Sequence, residues 1–388
     1  MMNVHLMKDC MEKIQRVGRT FEGPGNELFM NWTCSGIRFK FTGTCLIAEL
    51  RAVYGEEEER NQFDGTVVKR KTWPYAAVFA DDDYEPIRYF EINDNAKDYL
   101  LFSSRQEETH TITIRKMTEN PKGKLAVYKF IMDGSMERIS EEIPKMKLEF
   151  IGDSIACGFG NMASDRDRGF YSSEENGWLS HPAIAAEKLH ADFSMICYSG
   201  IAVSKGIGRV NWPAPCMPEL YPYTDRLIEE HLGIDKNLEN WNFGQYVPDV
   251  IVLNLGTNDA TVIDMNIDIE QGIRKFEEDY YTFLQMIRDR NGNEPWIICA
   301  LGSMDYYLYD NIQKAAGRFI NANRDLKIKC FKYSRIRFMD GYGACGHPNI
   351  TTQIRMGNEL AEFIMGLSSL EEWSQNDELE NRVELSSD

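Results

Sequence analysis

The chain has 388 residues, 43% hydrophobic, 27% charged and 12% aromatic, the composition of an ordinary globular protein long enough for two hydrophobic cores. Its 61 acidic residues outnumber 43 Lys and Arg, and the formal net charge of −18 argues against nucleic-acid and anionic-membrane partners, whose binding rests on basic residues. A neutral substrate, such as a sugar or a small ester, fits best. No run approaches the roughly 20 apolar residues that span a bilayer. The first residues carry no apolar stretch ahead of a small-residue cleavage site, so a cytoplasmic chain is expected. Nine cysteines, odd in number and without a CxxC pair, read as free thiols in a reducing compartment. The six histidines form neither HExxH nor HxH, so neither a metal site nor a cofactor is expected.

From Gly18 to Gly134 the grammar is that of strands. GIRFKFTG sets Ile37, Phe39 and Phe41 against Arg38, Lys40 and Thr42, as in a half-buried strand. CLIAELRAVY, PYAAVFADDD, PIRYFEIND, ETHTITIRKM and AVYKFIMDG follow at short spacing. Many short strands without crossover helices predict an antiparallel sandwich or jelly roll over residues 1–145. After Pro144 strand and helix alternate. KLEFIGDS, DFSMICYSG, PDVIVLNLGTND and EPWIICALGS read as strands, and HPAIAAEKLH as a helix opening on Pro182. EQGIRKFEEDYYTFLQMIRDR gathers Ile273, Phe276, Tyr280, Phe283 and Ile287 on one helix face, and NITTQIRMGNELAEFIMG gives a last helix. Nearly all-apolar strands such as VIVLNL predict a parallel sheet covered on both faces, an α/β domain over 146–366. The acidic stretch 367–388 is expected to be a frayed tail.

Ligands of open α/β sheets bind outside the carboxyl ends of the strands. Four segments put polar or flexible residues there: EFIGDSIACGFGN with Ser154, YSGIA with Gly200, LGTND with Asn258, and GHPN with His347. Each alone reads as a helix cap or a turn. In this order, they resemble the four blocks of the SGNH (GDSL-like) hydrolase superfamily. GRTFEGPGNELFMNWTCSGIRFKFTG, GDSIACGFGN, MPELYP and GHPN together are similar to carbohydrate esterase family 2, over nearly the whole chain from Gly18 to Gly366. That resemblance implies an N-terminal jelly roll, a three-layer α/β/α SGNH domain, and a carbohydrate O-acetylesterase.

The resemblance also assigns roles. Ser154 is the nucleophile and His347 its base, because a hydroxyl attacks only once a hydrogen-bonded base removes its proton. Ser154, Gly200 and Asn258 are the oxyanion donors. Most SGNH members carry an Asp three residues before the His; here Ala344 stands there. A backbone carbonyl is the favoured replacement and Asp340 the alternative. WPAPCMPELYPYTD and LGSMDYYLYD supply aromatics after strands, among which Trp212 and Tyr306 are the expected sugar-binding pair. The expected substrate is a short acetylated oligosaccharide derived from xylan or mannan. A lipid esterase or acyl-thioesterase on the same fold is the rival within the enzyme class, and a non-catalytic glycan-binding protein the rival outside it. Oligomeric state is not legible.

Overall fold

The alternating N-terminal segments pair edge to edge because each buries one face. In the computed structural model, which describes residues 2–384 except 61–65, 82, 141–145, 165, 167–168, 206–214 and 265–267, they form an 11-stranded sheet system paired antiparallel throughout. GIRFKFTG and CLIAELRAVY, expected as separate strands, run together as Gly36–Arg60, with a register shift between Gly43 and Cys45. This strand pairs with Lys97–Lys116 on one side and Gly123–Met132 on the other. Ile37, Phe39, Phe41, Leu46, Ala48 and Leu50 are fully buried along it, against Ile112, Ile114, Val127 and Phe130.

The opposite face is not left to solvent where the pattern reads half-exposed. Thr113 and Arg115 are buried, and the Arg115 guanidinium lies 5.2 Å from the Trp178 ring centre and 5.0 Å from that of Phe193. The parallel half packs there. Trp32, fully buried, donates its indole N–H to the Thr224 carbonyl at 2.9 Å, and Asn31 donates to Asp225 at 2.7 Å. The expected junction at 145/146 abuts residues 141–145, outside the described residues.

The second sheet holds strands β1 (Lys147–Gly152), β2 (Asp192–Cys197), β3 (Val250–Asn254), β4 (Trp296–Leu301) and β5 (Ile328–Lys332), all parallel, in the order β2-β1-β3-β4-β5. Its longer helices are α1 (His181–Lys188), α2 (Thr257–Asp264), α3 (Ile269–Asn291), α4 (Tyr309–Asn323) and α5 (Ile350–Glu384). Ile151, Ile251, Leu253 and Ile297 pack on Phe276, Tyr280, Phe283 and Phe319 of α3 and α4. Phe150, Met195, Val252 and Ile298 pack on Ala183, Ala186, Met356 and Leu360 of α1 and α5. Burial on both faces is why these strands lack alternation, and each such side chain contributes about 1.5–3 kcal/mol.

Two features depart from expectation. β5 (IKCFK) has no strand signal in the sequence; it is an edge strand with Lys at two of its five positions, and Cys330 and Phe331 are only half-buried. The last helix, expected to stop at Gly366 before a frayed tail, continues to Glu384. The stretch is free of proline and rich in Glu and Leu, which favour helix. Among the described residues no helix is long and apolar enough to cross a membrane.

Candidate active site

β1 ends at Gly152 and turns directly into the short helix Ser154–Cys157. Asp153 caps it, its Oδ1 accepting the Ile155 N–H at 2.9 Å, so Ser154 is held at the helix start. Burial pushes the Asp153 carboxyl up to about 7. The chain then folds through Phe159, Gly160 and Asn161 against the loop that precedes α5. Ala344 N–H donates to the Gly160 carbonyl at 3.1 Å, and Ile350 N–H to the Asn161 carbonyl at 3.1 Å. Gly160 is required at this crossing: its φ is +52°, and a Cβ there would lie 2.4 Å from the Ala344 Cβ.

That crossing delivers His347 to Ser154. The imidazole Nε2 lies 2.9 Å from the Ser154 Oγ, and Nδ1 lies 3.1 Å from the Ala344 carbonyl. A carbonyl can only accept, so Nδ1 carries the proton and Nε2 is free to take the one from the serine hydroxyl. Cys345, at φ +53° and ψ +30°, turns the chain between the carbonyl and the ring. Burial lowers the His347 pKa to about 4, against the pull of the Ala344 and Cys345 backbone, so the ring is the neutral base at neutral pH. The Phe159 ring centre lies 4.4 Å from that of His347, and Phe170 backs Phe159 at 4.3 Å.

Ala344, which stands at the position of the missing acid, is fully buried with Ala163 and Phe170, and its methyl lies close against Gly160. Asp340, the alternative orienting group, instead faces Arg355 at 3.4 Å.

The loop after β2 contains Gly200, at φ +79°, a left-handed turn that suits glycine. Asn258, on the first turn of α2, donates to the Ile201 carbonyl at 2.9 Å, and its Nδ2 lies 3.5 Å from Asp153 Oδ2. Asn258 therefore touches the Gly200 loop and the nucleophile turn at once. Asp259 fixes the continuation by accepting from Val203 at 3.0 Å and Ser204 at 2.9 Å; burial pushes its carboxyl up to about 6.

Ser154, His347 and Asn258 are thus brought together, with Gly200 one residue from the Asn258 contact. Trp212 lies outside the described residues. Tyr306 donates its hydroxyl to the Tyr333 carbonyl at 2.6 Å, and Lys332 and Arg335 sit 4.3 and 4.7 Å from its ring centre. These contacts hold the half-buried Tyr306 ring in the loop after β4. Sequence reasoning missed Phe159, whose signal was an aromatic between two glycines, Gly158 and Gly160, just after the nucleophile. Among the described residues no cluster of three His, Cys, Asp or Glu is disposed to hold a metal ion.

Comparison with known proteins gives the chain its relatives. Residues 16–139 match the family described as carbohydrate esterase 2 N-terminal. The cellulase/esterase CelE of Acetivibrio thermocellus is 31% identical over 287 residues, 73% of this chain and 33% of that protein. An acetylxylan esterase / glucomannan deacetylase of Cellvibrio japonicus is 25% identical over 231 residues, 56% of this chain and 58% of its own. The chain therefore spans between a third and three fifths of these curated relatives' length. Among solved structures, a family two carbohydrate esterase from Clostridium thermocellum in complex with cellohexaose superposes with a TM-score of 0.75 at 26% identity, over 92% of this chain and 99% of that one. By sequence and by fold, the chain is a relative of the family-two carbohydrate esterases, with both of its sheets inside the likeness.

Proposed function

We propose that the chain is a serine O-acetylesterase that removes acetyl groups from short xylan- or mannan-derived oligosaccharides. One observation carries the reading: Ser154 Oγ lies 2.9 Å from the Nε2 of an imidazole whose Nδ1 is held by a main-chain carbonyl. His347 takes the hydroxyl proton as Oγ attacks the acetyl carbonyl. The oxyanion that forms faces the Ser154 N–H, the Gly200 N–H and the Asn258 amide; losing one such donor costs roughly 2.7–4 kcal/mol of transition-state stabilisation. His347 then protonates the departing sugar hydroxyl and activates the water that hydrolyses the acetyl-enzyme.

The acetylated-polysaccharide class is supported by the names of the relatives and by the cellohexaose in the superposed esterase. A neutral saccharide also suits a surface with net charge −18. We read residues 1–145 as a jelly roll and 146–366 as the catalytic domain, a division supported by the separate antiparallel and parallel sheets. An odd count of cysteines without a CxxC pair supports a cytoplasmic setting. The test is acetate release from acetylated xylo- and manno-oligosaccharides. Release by the wild type and its loss in Ser154→Ala are expected; no release, undiminished release by the variant, or a preference for octanoyl over acetyl esters of p-nitrophenol would overturn the proposal.

A further inference from the structure

The antiparallel half reaches behind the active site at the connection between strands Lys97–Lys116 and Gly123–Met132. Lys116 is fully buried and turns its ammonium onto three main-chain carbonyls: Thr118 and Glu119, both at 2.7 Å, and Asn31 at 3.2 Å. All three of its donors are then used, and the backbone that carries Glu119 is fixed. The Glu119 main-chain N–H is held in turn by the Glu175 carboxylate. From this anchored position the Glu119 side chain, 1% exposed, crosses to the parallel half, where Oε2 accepts the Ser199 N–H at 2.9 Å.

Ser199 is the residue immediately before Gly200. One acidic side chain from the antiparallel half is therefore bonded to the loop that carries Gly200.

We propose that Glu119 is a positioning residue for the oxyanion hole: by accepting the Ser199 N–H it fixes the Tyr198–Ser199 peptide, the unit directly before the one that carries the Gly200 N–H. The inference rests on the esterase reading above. Glycine at φ +79° brings no side chain of its own to hold that peptide, so the restraint must come from outside it. Two anchors flank the turn within the parallel half, Tyr198 N–H on the Gly152 carbonyl at 3.2 Å and Asn258 on the Ile201 carbonyl at 2.9 Å. Glu119 holds the residue between them. An oxyanion donor is effective only when pre-set at hydrogen-bond distance from the developing charge, so a loosened peptide lowers turnover without changing the binding surface. Burial raises the Glu119 carboxyl above its usual range, and its Oε2 accepts the Ser199 N–H. The antiparallel half is then part of the catalytic apparatus.

The experiment compares Glu119→Gln, Glu119→Asp and Glu119→Ala in the full chain, reading kcat and KM for p-nitrophenyl acetate together with the thermal midpoint. Gln keeps an acceptor at the same reach and is expected to retain most of the turnover. Asp retracts the acceptor by one methylene and Ala removes it; both are expected to lose about 10- to 100-fold in kcat, with KM within about twofold, part of the 10²–10³-fold seen when a donor is deleted outright. Asp decides the matter if Ala does not fold. Folded Asp or Ala variants with wild-type kcat, even with a lowered thermal midpoint, would overturn the inference and leave Glu119 as an adhesive between the halves. A wild-type chain inert toward the ester would instead fell the esterase reading itself, which is a separate and recognisable result.

Discussion

Gly160→Ala is the substitution in which local backbone, packing and catalysis meet. The added methyl would sit 2.4 Å from the Ala344 Cβ and 3.2 Å from the Phe170 ring, whereas ordinary contact begins near 3.4 Å, so the two loops must separate by about 1 Å. An L-residue in the left-handed region costs about 1–2 kcal/mol, and overpacking a filled site about 1–3 kcal/mol. A stiffer unfolded chain returns about 0.4–1 kcal/mol. The net expectation is a loss of about 1–5 kcal/mol in stability. The same displacement carries the Ala344 carbonyl and His347 away from Ser154, and a shift of about 1 Å in a reacting group costs about 10²-fold in rate. Urea unfolding reads the first effect and kcat on p-nitrophenyl acetate the second. Gly317→Ala is the control: it lies within α4 with no atom near its Cβ, and is expected to be stabilising by up to about 1 kcal/mol with unchanged kcat. A Gly160→Ala variant as stable and as fast as the wild type would refute the packing argument and the positioning of His347 that depends on it.

The pH dependence follows from His347. Its pKa is held down to about 4 by burial, and only the neutral ring accepts the Ser154 proton, so kcat/KM should fall as pH drops through about 4 and stay flat from there to neutrality. An acid limb centred near 6.5 would mean that the ring is as solvated as a free imidazole. Trp32→Ala removes an indole that is 1% exposed, packed in the core beside the parallel sheet and hydrogen-bonded to Thr224; a loss of about 3–5 kcal/mol is expected in urea unfolding, and a change under 1 kcal/mol would contradict the close union of the two halves.

Local chemistry made much of this legible in the sequence. The parallel strands announced themselves because both of their faces are buried, and Ser154, Gly200, Asn258 and His347 stood at strand ends where such sheets bind ligands. What could not be read depends on contacts between distant residues. Phe159 matters only because the chain returns at His347, and the close fit of Ala344 on Gly160, far earlier in the chain, exists only once the two loops cross. Arg115 reads as a solvent-facing residue of an alternating strand until Trp178 and Phe193 are packed over it. β5 escaped notice because an edge strand with two lysines lacks the apolar run of its neighbours. Glu119 sits in a polar turn whose partner, Ser199, belongs to the other half.

The central claim is that a main-chain carbonyl, and no carboxylate, orients the imidazole that activates Ser154. Turnover of Asp340→Asn tests it most directly, because Asp340 is the acidic residue nearest in sequence to His347 and is paired with Arg355 instead. The Ala344 carbonyl at 3.1 Å from Nδ1 predicts a kcat within about threefold of the wild type. A loss approaching the roughly 10⁴-fold that follows removal of an orienting carboxylate from a serine triad would show that Asp340 does that work and would contradict the account.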